Sequence, residues 1–165
     1  LAMILLAMVT ENLELREIKK RMITGSTRNV YKEDNEREIV LHHKKLNQIV
    51  NDISKRVEES KIRKDGSTRE LSGFEKLYSK TVAEYFGGMK KVLTNLLDAL
   101  NEGGVVSMLV GDSRTYKLVH IPTAEILGDI ALEVGFRRVE IELWRNNVST
   151  AHNMDLNENI LRLFN

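Results

Sequence analysis

The residues best placed to do chemistry cluster in one turn: Gly111-Asp112-Ser113, followed by Arg114 and Lys117. They come directly after an apolar run, at the carboxyl end of an expected strand, where open α/β sheets bind their ligands. Asp112 and Ser113 there would form one wall of a polar site, with Arg114 and Lys117 as contacts to a phosphate backbone. Gly-Asp-Ser is also turn chemistry in any protein, so the pattern alone leaves both readings open. A second group of cations, Lys61, Arg63 and Lys64 with Lys55, Arg56 and Arg69, flanks Asp65-Gly66 and suits phosphate tracking. Interleaved Glu58, Glu59 and Asp65 suit a solvated helix face equally well. Arg28 with Tyr31 pairs a phosphate contact with a stacking ring, or sits on an ordinary exposed loop.

Other chemistries are excluded or unsupported. There is no cysteine among the 165 residues, so disulfides and thiolate metal sites are ruled out. His42 and His43 are adjacent, which on a helix turns them about 100° apart, poor geometry for a shared metal. His120 and His152 lack neighbouring ligands at zinc spacing, and no metal site is expected. No Ser/His/Asp set or carboxylate pair stands out, so no catalytic residue is assigned.

Apolar residues make up 42% and charged residues 30%, the composition of an ordinary soluble domain, with a formal net charge of +1. Residues 1–72 carry 15 Lys and Arg against 12 Asp and Glu, and residues 73–165 carry 10 against 12, a mild asymmetry. The opening run at 1–9 is apolar but well short of the roughly 20 residues that span a membrane. Without a basic leader or a small-residue cleavage site, a cytoplasmic setting is the expectation. The initial Leu1 suggests a fragment whose first residues form an internal, buried helix.

The elements that must position the turn fall into two parts. Residues 1–72 are charged and helical, a first helix ending near Gly25, an exposed loop at 25–37, and a second helix carrying Leu46, Ile49, Val50, Ile53 and Val57. Residues 73–165 carry an α/β pattern. Ser72 and Glu75 form a capping box before a long apolar stripe, which Gly87-Gly88 interrupts for a bend or a close neighbour, at about 1 kcal/mol per glycine. The strand at 105–110 is continuously apolar apart from Ser107, as expected of a strand covered on both faces. Pro122 opens the next helix at its first position and Gly135 closes it. Val139, Ile141 and Leu143 then alternate with Glu140, Glu142 and Trp144, so one face is dry, with Trp144 packing at the sheet margin. After a polar connection at 146–157, a short strand at 159–164 pairs antiparallel with its predecessor.

Tyr85-Phe86-Gly87-Gly88-Met89-Lys90-Lys91, Gly103-Gly104, Leu109-Val110-Gly111-Asp112-Ser113, Ile121-Pro122 and Glu133-Val134-Gly135-Phe136 resemble the C-terminal half of site-specific DNA amino-methyltransferases. The likeness covers residues 84–145, and the end Asn157-Glu158-Asn159-Ile160-Leu161 looks like the family's closing strand. Upstream, Leu15-Arg16-Glu17-Ile18 and the stretch at 25–31 look like an insertion found in some members.

This resemblance implies the C-terminal part of a class I, Rossmann-like methyltransferase sheet: parallel strand, crossover helix, strand, antiparallel last strand, preceded by a helical insertion that contacts DNA. It implies methyl transfer from S-adenosylmethionine to an exocyclic amino group of adenine or cytosine, the base being flipped out of the duplex. The family's Pro-Pro catalytic motif and Gly-rich cofactor turn are absent, since the chain has one proline and no G-x-G after a strand. No catalytic or cofactor-binding residue is therefore carried over, and activity would need a missing N-terminal half, supplied as a separate chain or as upstream sequence. The first strands of the sheet are missing too, which would leave the strand at 105–110 with one uncovered edge. The alternatives are a non-catalytic DNA-binding or scaffolding subunit of a split methyltransferase, and a fragment of an RNA or small-molecule methyltransferase.

Overall fold

The structure, a computed structural model, describes residues 12–114, 116–149 and 154–165. The apolar run at 1–9 lies outside the described residues, and the first helix is seen as α1, Asn12–Lys20.

Helix α2, Lys44–Glu59, forms where its spacing predicts, with Leu46, Ile49, Ile53 and Val57 all buried. His43 starts it. The ring Nδ1 accepts the Leu46 N–H at 3.2 Å, taking up one of the amides a helix start leaves without a partner. The predicted capping box is also formed: the Ser72 N–H donates to Glu75 Oε2 at 3.0 Å, and the Glu75 N–H donates to Ser72 Oγ at 3.2 Å. It opens a 3-10 turn, Glu75–Leu77, that runs on into α3, Tyr78–Ala99.

Gly87 in α3 serves a close approach, since a Cβ there would stand 2.1 Å from the carbonyl oxygen of Glu36. That neighbour belongs to the segment expected as an exposed loop. It is irregular, with 3-10 turns at Thr27–Asn29 and Glu36–Val40, yet it is seated on α3. Lys80 Nζ donates to the Tyr31 carbonyl at 2.7 Å, Lys90 Nζ to the Ile39 carbonyl at 3.2 Å, and the Arg37 N–H to Glu84 Oε2 at 3.1 Å. Polar groups do most of this docking, which is why an apolar period does not reveal it.

Three strands follow: β1, Val105–Gly111, β2, Arg138–Ser149, and β3, Met154–Phe164. Their order is β1-β3-β2, with β3 antiparallel to both neighbours. The final two strands therefore pair as predicted. No parallel pair occurs among the described residues, because β3 lies between β1 and β2, which run in the same direction without touching. Helix α4, Thr123–Val134, joins β1 to β2 and packs on all three strands. The protein is mixed α/β with a three-stranded antiparallel sheet.

One core unites these layers: Phe86 and Leu93 of α3, Ile126, Leu127 and Ile130 of α4, and Leu161 and Leu163 of β3. Burying a side chain of this size is worth roughly 1.5–3 kcal/mol. Both helices thus sit on one face of the sheet.

Several expectations are corrected. β1 is covered on one face only: Val106, Met108 and Val110 join the core, while Val105 and Leu109 on the other face are 45% and 63% exposed. The polar connection at 146–157 is largely the outer half of the β2–β3 hairpin, with Asn146 opposite Asn157 and Asn147 opposite Leu156. Backbone pairing there needs no apolar alternation. The dry face of β2 ends early, since Ile141, at the margin of α4, and Leu143 after it are both exposed. A bulge between Leu143 and Arg145 re-aims Trp144, which is 61% exposed instead of packed. Pro122 stands at the N-cap, one residue before α4 begins.

Candidate functional site

A cavity of about 470 Å³ opens at the carboxyl end of β1, within the size range of small-ligand sites. Leu109 and Val110, from opposite faces of β1, both line it, so it lies at the edge of β1 that no described strand pairs with. Tyr85 and Phe86 of α3 form one wall, their rings edge-to-face at 5.1 Å between centroids. Tyr116 forms another and rests against Tyr78 at 4.8 Å. Gly25 and Ser26 of the docked segment, with Thr81, Ser113 and Thr123, contribute hydroxyls and backbone. Burial raises the phenol pKa of both Tyr85 and Tyr116, so both stay neutral. Among the described residues no lining side chain carries a charge.

The turn that follows β1 is held rigidly. Ser113 and Ile121 exchange backbone hydrogen bonds of 3.1 and 2.8 Å, and Lys117 and Leu118 take positive φ of 54° and 60°. Arg56 Nη1 donates to the Lys117 carbonyl at 3.0 Å. Below the turn, Glu75 takes Arg69 on both carboxylate oxygens at 2.6 and 2.9 Å and Lys117 at 2.5 Å. Arg69 and then Lys117 hold the Glu75 carboxyl well below the usual carboxylate range. This partly buried ion cluster ties the loop at 61–72 and the turn at 112–121 to the start of α3.

The structure distributes the residues singled out from the sequence unevenly. Ser113 lines the cavity. Asp112 does not: its side chain, 6% exposed, accepts from His120 Nε2 at 3.0 Å. Lys117 is spent on Glu75. Arg114 makes no hydrogen bond or ion pair among the described residues, and its Nε is buried without an acceptor. Lys61 pairs with Glu58 and lines a separate depression of about 430 Å³. Arg63 and Lys64 sit exposed in the small loop closed by the Ile62–Thr68 bridge. Arg28 is exposed two residues beyond the cavity wall, and the Tyr31 N–H donates to Asp34 at 2.7 Å.

His42 and His43 serve structure: His42 Nε2 lies 2.8 Å from Glu133, and His43 Nε2 3.3 Å from Asp129. Among the described residues no group of three or more His, Asp or Glu could hold a metal ion, and no helix is long and apolar enough to cross a membrane.

Sequence reasoning missed Tyr85, Phe86 and Tyr116 as cavity walls, His120 as the partner of Asp112, and Glu75 as the ion-cluster centre. Their signals were present as an apolar stripe, a lone histidine and a capping residue. Chemically, the cavity offers aromatic walls with hydroxyls and backbone groups among them. No protein-family model, curated protein or solved structure matches the chain.

Proposed function

We propose that this chain forms the C-terminal portion of a DNA amino-methyltransferase that transfers a methyl group from S-adenosylmethionine to adenine N6 or cytosine N4. The observation that carries the reading is the uncharged, aromatic-walled cavity at the carboxyl end of β1, inside the stretch that resembles this family. A flipped base is a neutral planar ring, and aromatic stacking with edge hydrogen bonds is how such bases are held.

The strand order adds support. β1 and β2 run the same way, α4 connects them, and β3 returns antiparallel, the ending expected of a class I methyltransferase sheet. In this reading the Rossmann-like sheet continues along the unpaired edge of β1, supplied by a missing N-terminal half. That half brings the Pro-Pro motif and the cofactor turn beside Gly111-Asp112-Ser113. Residues 1–72 act as the insertion, with Arg28, Arg63 and Lys64 as exposed cations facing DNA, and residues 73–165 complete the α/β domain.

S-adenosylmethionine itself does not fit this chain's residues. The donor carries a sulfonium, an ammonium and a carboxylate, and the cavity walls offer no charged side chain to meet any of them. Binding of the donor thus falls to the missing half.

The test is to express this chain with the coding sequence preceding Leu1, joined or as a separate chain, and to measure transfer of labelled methyl groups to DNA. Incorporation at an exocyclic amino group is expected. No incorporation into any DNA overturns the proposal, and salt-sensitive DNA binding without transfer favours a non-catalytic subunit.

A further inference from the structure

The turn after β1 has two faces. Ser113 and Ile121 form an antiparallel bridge and both line the cavity. Neighbours of a bridged pair project to the opposite side. Asp112, Arg114 and His120, the neighbours of that pair, are absent from the cavity lining, and Asp112 and His120 meet each other instead.

Arg114 is the residue there whose charge is unanswered. Asp112 is occupied by His120, Glu75 by Arg69 and Lys117, and Glu158 by Arg145 and Asn147. Arg114, beside them in the chain, makes no ion pair among the described residues, and its Nε is buried and lacks an acceptor. A buried donor on a permanent cation calls for an acceptor from outside these residues. A guanidinium fork suits a phosphate, and the bonds that fix the turn pre-organise it.

We infer that Arg114 holds the phosphate of the nucleotide whose ring enters the cavity. The two faces of one turn then read the two ends of one nucleotide: Ser113 and Tyr116 on the ring side, Arg114 on the phosphate side. This rests on the base-binding reading of the cavity and adds to it a nucleotide phosphate, whether of a free nucleotide or of a strand.

The side-chain Nε–H resonance of Arg114, assigned by its loss in Arg114→Gln, provides the readout. Deoxyadenosine monophosphate and a short single-stranded oligonucleotide should both shift it, while deoxyadenosine should not. The strand shifting it at far lower concentration than the monophosphate would identify DNA as the source of the phosphate; equal potency would identify a free nucleotide. Arg114→Gln should weaken phosphate-bearing ligands at least tenfold and leave the nucleoside unchanged, with Arg114→Lys in between. For the strand, the slope of log affinity against log salt should fall by roughly 0.7 in Arg114→Gln, the loss of one phosphate contact. No response of Nε–H to either phosphate-bearing probe, or equal binding of nucleoside and monophosphate, overturns the inference. If the reconstituted enzyme methylates DNA and Arg114→Gln keeps its salt slope, the phosphate site falls alone. If no DNA is methylated but the phosphate preference persists and depends on Arg114, the methyltransferase reading falls and the site stands.

Discussion

Gly87 brings the backbone of helix α3 directly against the backbone of Glu36: a Cβ at position 87 would lie 2.1 Å from the Glu36 carbonyl oxygen and 2.3 Å from its carbon. No rotamer change relieves such a clash, because backbone blocks it. Gly87→Ala gains about 1 kcal/mol of helix propensity and loses the seat of the Glu36–Val40 turn. Overpacking at a tight site costs about 1–3 kcal/mol, so a net loss is expected in urea denaturation. Gly88→Ala is the control. Its Cβ would meet only the Ile23 side chain at 3.0 Å, which can move, so its stability should stay near that of the parent.

The same contact region holds Glu84, whose side chain is fully buried. One oxygen accepts the Arg37 N–H; the other lacks a partner, with the Arg37 Nε at 3.8 Å. Burial pushes its pKa up, against the pull of the Arg37 hydrogen bond and Lys80, while Asp34 and Glu36 add to the rise. The folded pKa therefore lies above the unfolded value of about 4.3. Such a group stabilises fully below the unfolded pKa, and its contribution is lost as pH rises through the folded pKa. Glu84→Gln keeps the shape and stays neutral, so it should remove this loss and equal or exceed the parent in stability at pH 7. Denaturation midpoints across a pH series would check it; a variant that keeps the parent's decline between the unfolded and folded pKa values would refute the assignment.

Glu75 works in the opposite sense. Arg69 and Lys117 hold its pKa far below the unfolded value, so its stabilisation is present above that value and fades as pH falls toward the folded pKa. Glu75→Gln removes a charge that two cations share in a partly buried place, with an expected cost of about 2 kcal/mol at neutral pH. The loss should shrink in acid, where the parent also weakens. Because Lys117 anchors the turn, Tyr116 should gain mobility as well, visible as altered ring resonances; an unchanged turn would show that Glu75 does not position it.

Features set by local chemistry were legible in the chain. The capping box of Ser72 and Glu75, the stripe of α2 and the Gly135 stop with φ of 118° each depend on residues within one or two turns of each other. What escaped depends on distance along the chain. Nothing near Glu75 announces that Lys117, 42 residues later, will share its carboxylate. Tyr85 reads as core from its spacing, and only the return of Ser113 and Tyr116 beside it makes a cavity. β1 reads as doubly covered because its composition is apolar throughout, yet composition records what a strand can tolerate on each face and not which helices this chain supplies.

That exposed apolar strand yields the last prediction. Among the described residues β1 has an unpaired edge and carries no charge, proline or bulge to guard it, while β2, the other margin, has Arg and Glu side chains and a bulge. Unguarded edges invite pairing with another strand. Leu109, 63% exposed and lining the cavity, stands on the open face of this edge strand. Leu109→Lys places a charge there at little cost to the chain alone, since it removes no buried group. In sedimentation velocity the parent should self-associate with rising concentration and the variant should not. With the N-terminal half proposed above supplied as a second chain, the variant should fail to complex while keeping the parent's circular dichroism. A variant that still joins that half with unchanged affinity would place the junction elsewhere than the β1 edge.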